Sequence, residues 1–249
     1  MVDSGVTFAK VSYTLADGRV LLRDISLELE AGTTTALLGR SGSGKTTLLR
    51  MVNGLVTPTS GEVLVAGKAT REYDIVALRR GIGYVIQETG LFPHMTVERN
   101  AGMALELAGH SKQEIAGRVR EVLALAGLEY EEFRARYPWQ LSGGQRQRVG
   151  LARALATDPM VLLMDEPFGA LDPLTRAEMQ TMLRGLLQRV GKTVLLVTHD
   201  LDEALYLAQR VVFVSEGSVV ADLCPEEIVG SDNPYVKDYV SAVHRVVKA

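Results

Sequence analysis

Cysteine is nearly absent. Cys224 is the only one in 249 residues, which excludes an internal disulfide and any cysteine-rich zinc site. Long apolar runs are missing too. Stretches such as 161–164 and 194–197 fall far short of the roughly 20 apolar residues that a membrane-spanning helix needs, so any membrane role has to come through a partner. No sign of charge dominates: 27 Lys and Arg stand against 30 Asp and Glu, a formal net charge of −3. That balance supplies neither a basic field for nucleic acid nor the acidic excess of a disordered chain. The first five residues carry no basic segment followed by an apolar run, so no secretory signal is expected. No internal repeat and no low-complexity tract is visible. The 47% of hydrophobic residues and 23% of charged ones are instead those of a globular chain with a sizeable core.

Along the chain, 6–13 and 20–29 alternate apolar and polar residues around a turn at Ala16-Asp17-Gly18, the pattern of paired strands. A short strand over 33–38 runs into Gly39. A helix is predicted from Lys45 to the Asn53-Gly54 stop, and a turn over 57–61 leads to a strand at 62–65. From 97 to about 128 the composition turns to Ala, Leu and Glu with apolar positions at helical spacing, such as Ile115, Val119, Val122 and Leu123. A further helix is predicted from Ser142 to about Ala156. Elements then alternate: strand 161–164, a helix opened by Asp172-Pro173 and reaching Val190, strand 193–197, a helix from Asp200 with Glu203 at capping-box spacing, and strand 211–214. Such alternation implies a mainly parallel sheet with crossover helices.

Three segments carry chemistry. Gly39-Arg40-Ser41-Gly42-Ser43-Gly44-Lys45-Thr46, followed by Thr47, lies between a predicted strand and a predicted helix and satisfies G-x-x-x-x-G-K-[ST]. Its glycines let backbone amides turn toward phosphate oxygens at the positive end of the helix. Lys45 adds a point charge for the β- and γ-phosphates, and Thr46 offers a hydroxyl to Mg2+. Second, the apolar strand 161–164 delivers Asp165 and Glu166 at its end, where an α/β sheet places ligand chemistry. Asp165 suits Mg2+ or its water, and the pleat aims Glu166 elsewhere, toward an attacking water. Third, Leu141-Ser142-Gly143-Gly144-Gln145 precedes a Gln- and Arg-rich helix start that Ser142 can cap and two glycines leave open to an anion. Taken alone, this third segment is a capped helix and nothing more.

In this order and spacing the three segments resemble the nucleotide-binding subunit of ABC transporters, and the resemblance covers nearly the whole chain. It implies an α/β fold: a P-loop NTPase (RecA-like) core over about 1–87 and 157–249, with an N-terminal antiparallel β subdomain and an inserted α-helical subdomain over about 88–156. It implies ATP and Mg2+ as ligands. Tyr13 then matches the aromatic that stacks on adenine, Gln87 the glutamine that senses Mg2+ and the attacking water, and Gly169-Ala170-Leu171-Asp172 the loop that touches an opposite subunit. His199 matches the switch histidine that contacts the γ-phosphate, and its position after a strand end agrees with a ligand-side role. Glu166 is the expected general base, with Lys45, Gln87 and His199 in support. Ser142, Gly143, Gly144 and Gln145 of one copy are expected to face the ATP held by Lys45 of a second copy, arranged head to tail. His94, His110 and His244 have no such placement.

The resemblance also implies docking on transmembrane permease subunits from the cytoplasmic face, through the loop 87–94 that carries Leu91 and Phe92, together with a solute-binding protein and no nucleic acid. The runs 79–87 and 90–97 are similar to ATPases of bacterial osmoprotectant importers for glycine betaine and choline. Those often continue into a C-terminal regulatory CBS pair, for which 249 residues leave no room. Importers of molybdate or amino acids are the neighbouring alternatives. A soluble ABC ATPase of DNA repair or translation is the second class, against which stand the single cassette and the lack of sustained heptads. A small-molecule kinase explains neither 141–145 nor the paired carboxylates.

Overall fold

The structure is a computed structural model describing residues 5–243. His244 and the two ends of the expected 1–249 domain lie outside the described residues. In chain order the elements are β1 (Val6–Thr14), β2 (Val20–Leu29), β3 (Thr34–Leu38), α1 (Lys45–Val52), β4 (Ser60–Val65), β5 (Lys68–Ala69), α2 (Ile75–Arg80) and β6 (Ile82–Val85). There follow α3 (Val97–Leu107), α4 (Lys112–Leu125), α5 (Tyr130–Phe133), α6 (Gly143–Leu155), β7 (Val161–Asp165) and α7 (Pro173–Val190). The chain closes with β8 (Thr193–Thr198), α8 (Leu201–Leu207), β9 (Arg210–Ser215), β10 (Ser218–Leu223), α9 (Pro225–Ile228) and α10 (Pro234–Val243).

Two compact units divide the chain. The first runs to Glu72 and resumes at Leu195; the second is Tyr73–Val194, so that β8 straddles the boundary. Compactness thus groups α2, β6, β7 and α7 with the helices of the expected insertion.

In the first unit β1 pairs antiparallel with β2 on one side and β4 on the other, in registers such as Phe8↔Leu27 and Phe8↔Val63. Alternation places Val6 and Phe8 of β1 on the buried face with Ile25, Leu27 and Leu29 of β2, and register shifts beyond Phe8 bring Val11 and Leu22 into the core as well. A second layer pairs β3 parallel to β9, and β9 antiparallel to β10. All five residues of β3 are buried, as expected for an unbroken run with both faces covered. Here the core is Ala36, Leu38, Val211 and Phe213 from the strands with Leu201, Ala204, Ile228 and Val236 from the helices.

In the second unit β6 pairs parallel to β7 with Ile82↔Val161 in register. The helical period seen over 97–128 resolves into two helices, α3 and α4, with the short α5 just beyond it. Ser111 and Glu114 form a reciprocal capping box that starts α4, because the tight break after α3 leaves donors that only a side chain can satisfy. Val119, Val122 and Leu123 of α4 are fully buried. Burial of this stripe against α3 and α6 is what holds a helix whose own propensity is ordinary.

Leu123→Ala is expected to lower unfolding stability in urea by about 2–5 kcal/mol through the cavity it leaves. Leu107→Ala, on a side chain 73% exposed, is expected to change it by no more than about 0.5 kcal/mol. Equal effects of the two would contradict this packing.

Candidate functional site

In the first unit β3 ends at Leu38 and the chain turns through 39–44 into α1. Gly44, the residue before the helix, sits at φ +104°, and a Cβ there would collide with the Leu22 side chain, so glycine is required twice over. As the N-cap it offers the leading amides of α1 no side-chain acceptor, leaving the helix start open to an anion. Lys45 is buried, and its Nζ donates to the carbonyls of Gly39 at 2.8 Å and Arg40 at 2.9 Å. The ammonium is therefore folded into the turn and aimed by backbone. Beside it the Ser43 Oγ is buried without a hydrogen-bond partner. Such a hydroxyl is costly unless a ligand oxygen completes it, so the cradle fits a phosphate. Arg40, Ser41 and Gly42 are exposed, while Thr46 and Thr47 are half-buried at the helix start.

Tyr13 is half-buried near the end of β1 and pairs in register with Leu22 of β2. Since Leu22 lies beneath Gly44, the fold brings the Tyr13 strand position to the floor of the loop. His199 follows β8 with its side chain exposed. Its carbonyl accepts a 2.6 Å hydrogen bond from Tyr239 of α10. Asp200 then caps α8, accepting from Glu203 N at 3.1 Å.

In the second unit the five residues of β7 are buried and end on Asp165, whose Oδ2 accepts from Tyr84 Oη at 3.4 Å. Glu166 lies in the left-handed region at φ +46°. That is unfavourable for any side chain with a Cβ and sits directly before Pro167, which restricts its predecessor further. Strain of this kind concentrates at functional positions. Gln87, in the turn after β6, donates Nε2 to Glu166 Oε2 at 3.4 Å. The structure thus brings Gln87, Asp165 and Glu166 together.

Ser142 caps α6 reciprocally: its Oγ accepts from Gln145 N at 3.2 Å, and Gln145 Oε1 accepts from Ser142 N at 2.9 Å. A Cβ on Gly144 would stand 2.6 Å from Thr175 Cγ2, so glycine there permits the start of α6 to lie against the start of α7. Asp172 caps that second helix, accepting from Thr175 N at 3.1 Å. The hydrogen bonds from Thr175 hold its carboxyl below the usual carboxylate range. The 142–145 segment and the Asp172 turn are neighbours.

Two supporting residues escaped the sequence reading. Gln147 of α6 is buried and donates to the carbonyl of Pro167. Arg153, two turns further on, donates to the carbonyls of Thr89 at 2.6 Å and Gly90 at 2.7 Å. One helix therefore grips both the strand end that carries Glu166 and the loop that carries Gln87. The only signal for them was the Gln- and Arg-rich composition of α6.

Against known proteins, the family profile described as ABC transporter matches residues 22–169. The carnitine transport ATP-binding protein of Listeria monocytogenes is 43% identical over 234 residues, 94% of this chain and 59% of that protein. The glycine betaine uptake system ATP-binding protein of Escherichia coli is 48% identical over 215 residues, 86% of this chain and 69% of that protein. The chain thus spans 59% of the length of the first relative. Among solved structures, a dimeric ATP-binding cassette in a post-hydrolysis state, bound to ADP and phosphate, superposes with a TM-score of 0.79 at 35% identity, covering 88% of this chain and 98% of that one. The fold is that of a P-loop NTPase, α/β with an antiparallel β portion, as implied by the resemblance.

Arg153→Met keeps the unbranched stem of the side chain and removes both bonds. Because bonds from a charged donor contribute about 1.5–3 kcal/mol, amide exchange across 87–92 is expected to rise by about tenfold or more. Unchanged protection there would show that Arg153 does not fix the loop.

Proposed function

The chain belongs to the ABC transporter family, and from that premise we propose that it binds and hydrolyses ATP to energise import of a small polar solute, a quaternary-amine osmoprotectant, through separate membrane subunits. The observation that carries this reading is the cradle at 39–46, where a buried ammonium is aimed by backbone carbonyls and a buried hydroxyl has no partner. A triphosphate satisfies both. Tyr13 stacks on the base. Glycine betaine and carnitine appear in the names of the relatives, and choline is their chemical neighbour as a trimethylammonium compound.

Thr46 of the first unit offers a hydroxyl, and Gln87 and Asp165 of the second an amide oxygen and a carboxylate; each is a hard-oxygen donor of the kind that suits Mg2+. When bound, Mg2+ neutralises charge on the transferring phosphoryl group. The chain's own residues do the rest. Lys45 and the loop amides hold the phosphates, and Glu166 orients the attacking water and takes its proton, with Gln87 holding its carboxylate. His199 contacts the γ-phosphate. Catalysis of this type is mostly positioning and electrostatics, and the strained backbone of Glu166 supports that role.

We assign Ser142, Gly143, Gly144 and Gln145, with Asp172 beside them, to the nucleotide of a second copy, so that two copies sandwich ATP head to tail. Two helix starts suited to anions in one chain, and the dimeric state of the ADP-bound relative, support this. The 1–249 region is one ATP-binding domain, with a core over about 1–87 and 157–249 and a helical part over about 88–156.

No helix among the described residues is long and apolar enough to cross a membrane, which fits peripheral attachment at the cytoplasmic face. The permease is read to dock on the second unit. There the buried side chain of Asn100 bonds the carbonyls of Phe92, Met95 and Thr96 and accepts from Phe92 N at 2.7 Å. The loop is held rigidly, yet Phe92 stays exposed. Nearby, Val76, Ile82, Ala104 and Leu107 line a cleft of about 290 Å3 with Arg79 and Arg80. An apolar, cationic-rimmed groove fits a short helix of a membrane subunit. A solute-binding protein completes the importer, and nucleic acid has no part. The two relatives described above are named for transport and uptake, not for DNA repair or translation.

Glu166→Gln is expected to retain ATP binding, to lose at least about a hundredfold in turnover, and to elute as a dimer with ATP. Lys45→Ala should lose nucleotide affinity. Wild-type turnover in the first variant, or a monomer at high concentration with ATP, would overturn the assignment. Phe92→Asp should leave the ATPase of the isolated chain intact and abolish solute uptake in cells; normal uptake would remove the docking role.

A further inference from the structure

The helix α10 is fastened at its start and carries a hydroxyl to the segment that bears His199. Asn233 Oδ1 accepts from the N–H groups of Tyr235 at 2.9 Å and Val236 at 3.3 Å, and its Nδ2 donates to the Val220 carbonyl at 2.8 Å. Val236 is fully buried. Tyr235 and Tyr239, one turn apart, both meet Phe213 edge-on, with ring centroids at 6.4 Å and 5.8 Å. From this seat the Tyr239 Oη donates to the backbone carbonyl of His199 at 2.6 Å. The same tyrosine lines a small cleft with Arg40 of the phosphate loop.

We propose that Tyr239 is a positioning residue for His199: its hydroxyl fixes the peptide from which the histidine side chain leaves β8, and so sets where the imidazole meets the γ-phosphate. The inference rests on the reading of His199 given above. The peptide after His199 carries that carbonyl at the root of an exposed side chain, and a rotation of it moves the imidazole with it. The N–H of the same peptide, on Asp200, donates to Thr198 Oγ1 at 3.0 Å, so the peptide is held at both its amide and its carbonyl. The C-terminal helix thereby belongs to the ATPase machinery without touching nucleotide.

The test uses Tyr239→Phe, which keeps the ring against Phe213 and removes only the O–H, with His199→Ala and the double variant. A single neutral hydrogen bond predicts a fall in kcat of about three- to tenfold with KM for ATP unchanged. The histidine ring resonance that vanishes in His199→Ala should shift in Tyr239→Phe, while those of His94 and His110 stay in place. On top of His199→Ala, the second substitution should change the residual turnover no further. If Tyr239→Phe leaves both kcat and the His199 resonance unchanged while His199→Ala loses activity, the proposal fails and the reading of His199 survives. An equal fall in kcat in the His199→Ala background would mark a general structural effect and also defeat it. Full activity of His199→Ala would instead remove the reading of His199, and the inference with it.

Discussion

A buried ammonium held by the carbonyls of its own loop is the arrangement on which the first unit is built. Lys45 cannot reach Gly39 and Arg40 unless the chain reverses tightly between β3 and α1. That reversal needs a backbone at Gly44 that only glycine adopts cheaply. The loop in turn needs a floor, and Leu22 supplies it from β2, a strand held in register by β1. The antiparallel layer is thus the support on which the phosphate cradle rests, and it carries Tyr13 to the same place.

The second unit is organised by a helix instead of a loop. Reading along α6, Ser142 closes the helix start, Gln147 holds the carbonyl of Pro167, and Arg153 holds those of Thr89 and Gly90. These side chains stand five or six residues apart and leave the helix in different directions, so no single apolar stripe accounts for them. Each satisfies a carbonyl in an irregular segment that has no ladder of its own. Irregular backbone needs such partners wherever it is withdrawn from water. The segments held are those that present Gln87 and Glu166.

How much of this was readable in the sequence follows from where the information lies. The phosphate loop, the carboxylate pair and the Ser142 cap are local, because their chemistry is written in consecutive residues and the flanking strands and helices confirm them. Buried runs such as 161–164 announced themselves by composition. The helical period of 97–128 was plain, yet its division into α3 and α4 depended on the cap at Ser111. By contrast β6, α2, β10 and α10 carried no strong pattern. Ile82–Val85 is a four-residue strand interrupted by glycine, made a strand by pairing with β7. The roles of Arg153 and Tyr239 were not readable at all, since each acts on a carbonyl 40 to 64 residues away.

Carbonyl-directed bonds from distant elements recur at the irregular segments of the machinery: Arg153 on the loop after Gln87, Gln147 behind Glu166, Tyr239 behind His199. In each case the partner is the backbone next to a functional side chain. Holding the peptide fixes where the side chain originates without placing a further partner on its polar end, which meets phosphate, water or metal. Preorganisation of this kind costs nothing at the moment of reaction, because the dipoles are already oriented. It also gives parts of the fold remote in sequence a route to the reaction. A displacement of α10 moves the peptide it holds, and with it the root of His199, although no residue of α10 is assigned to nucleotide.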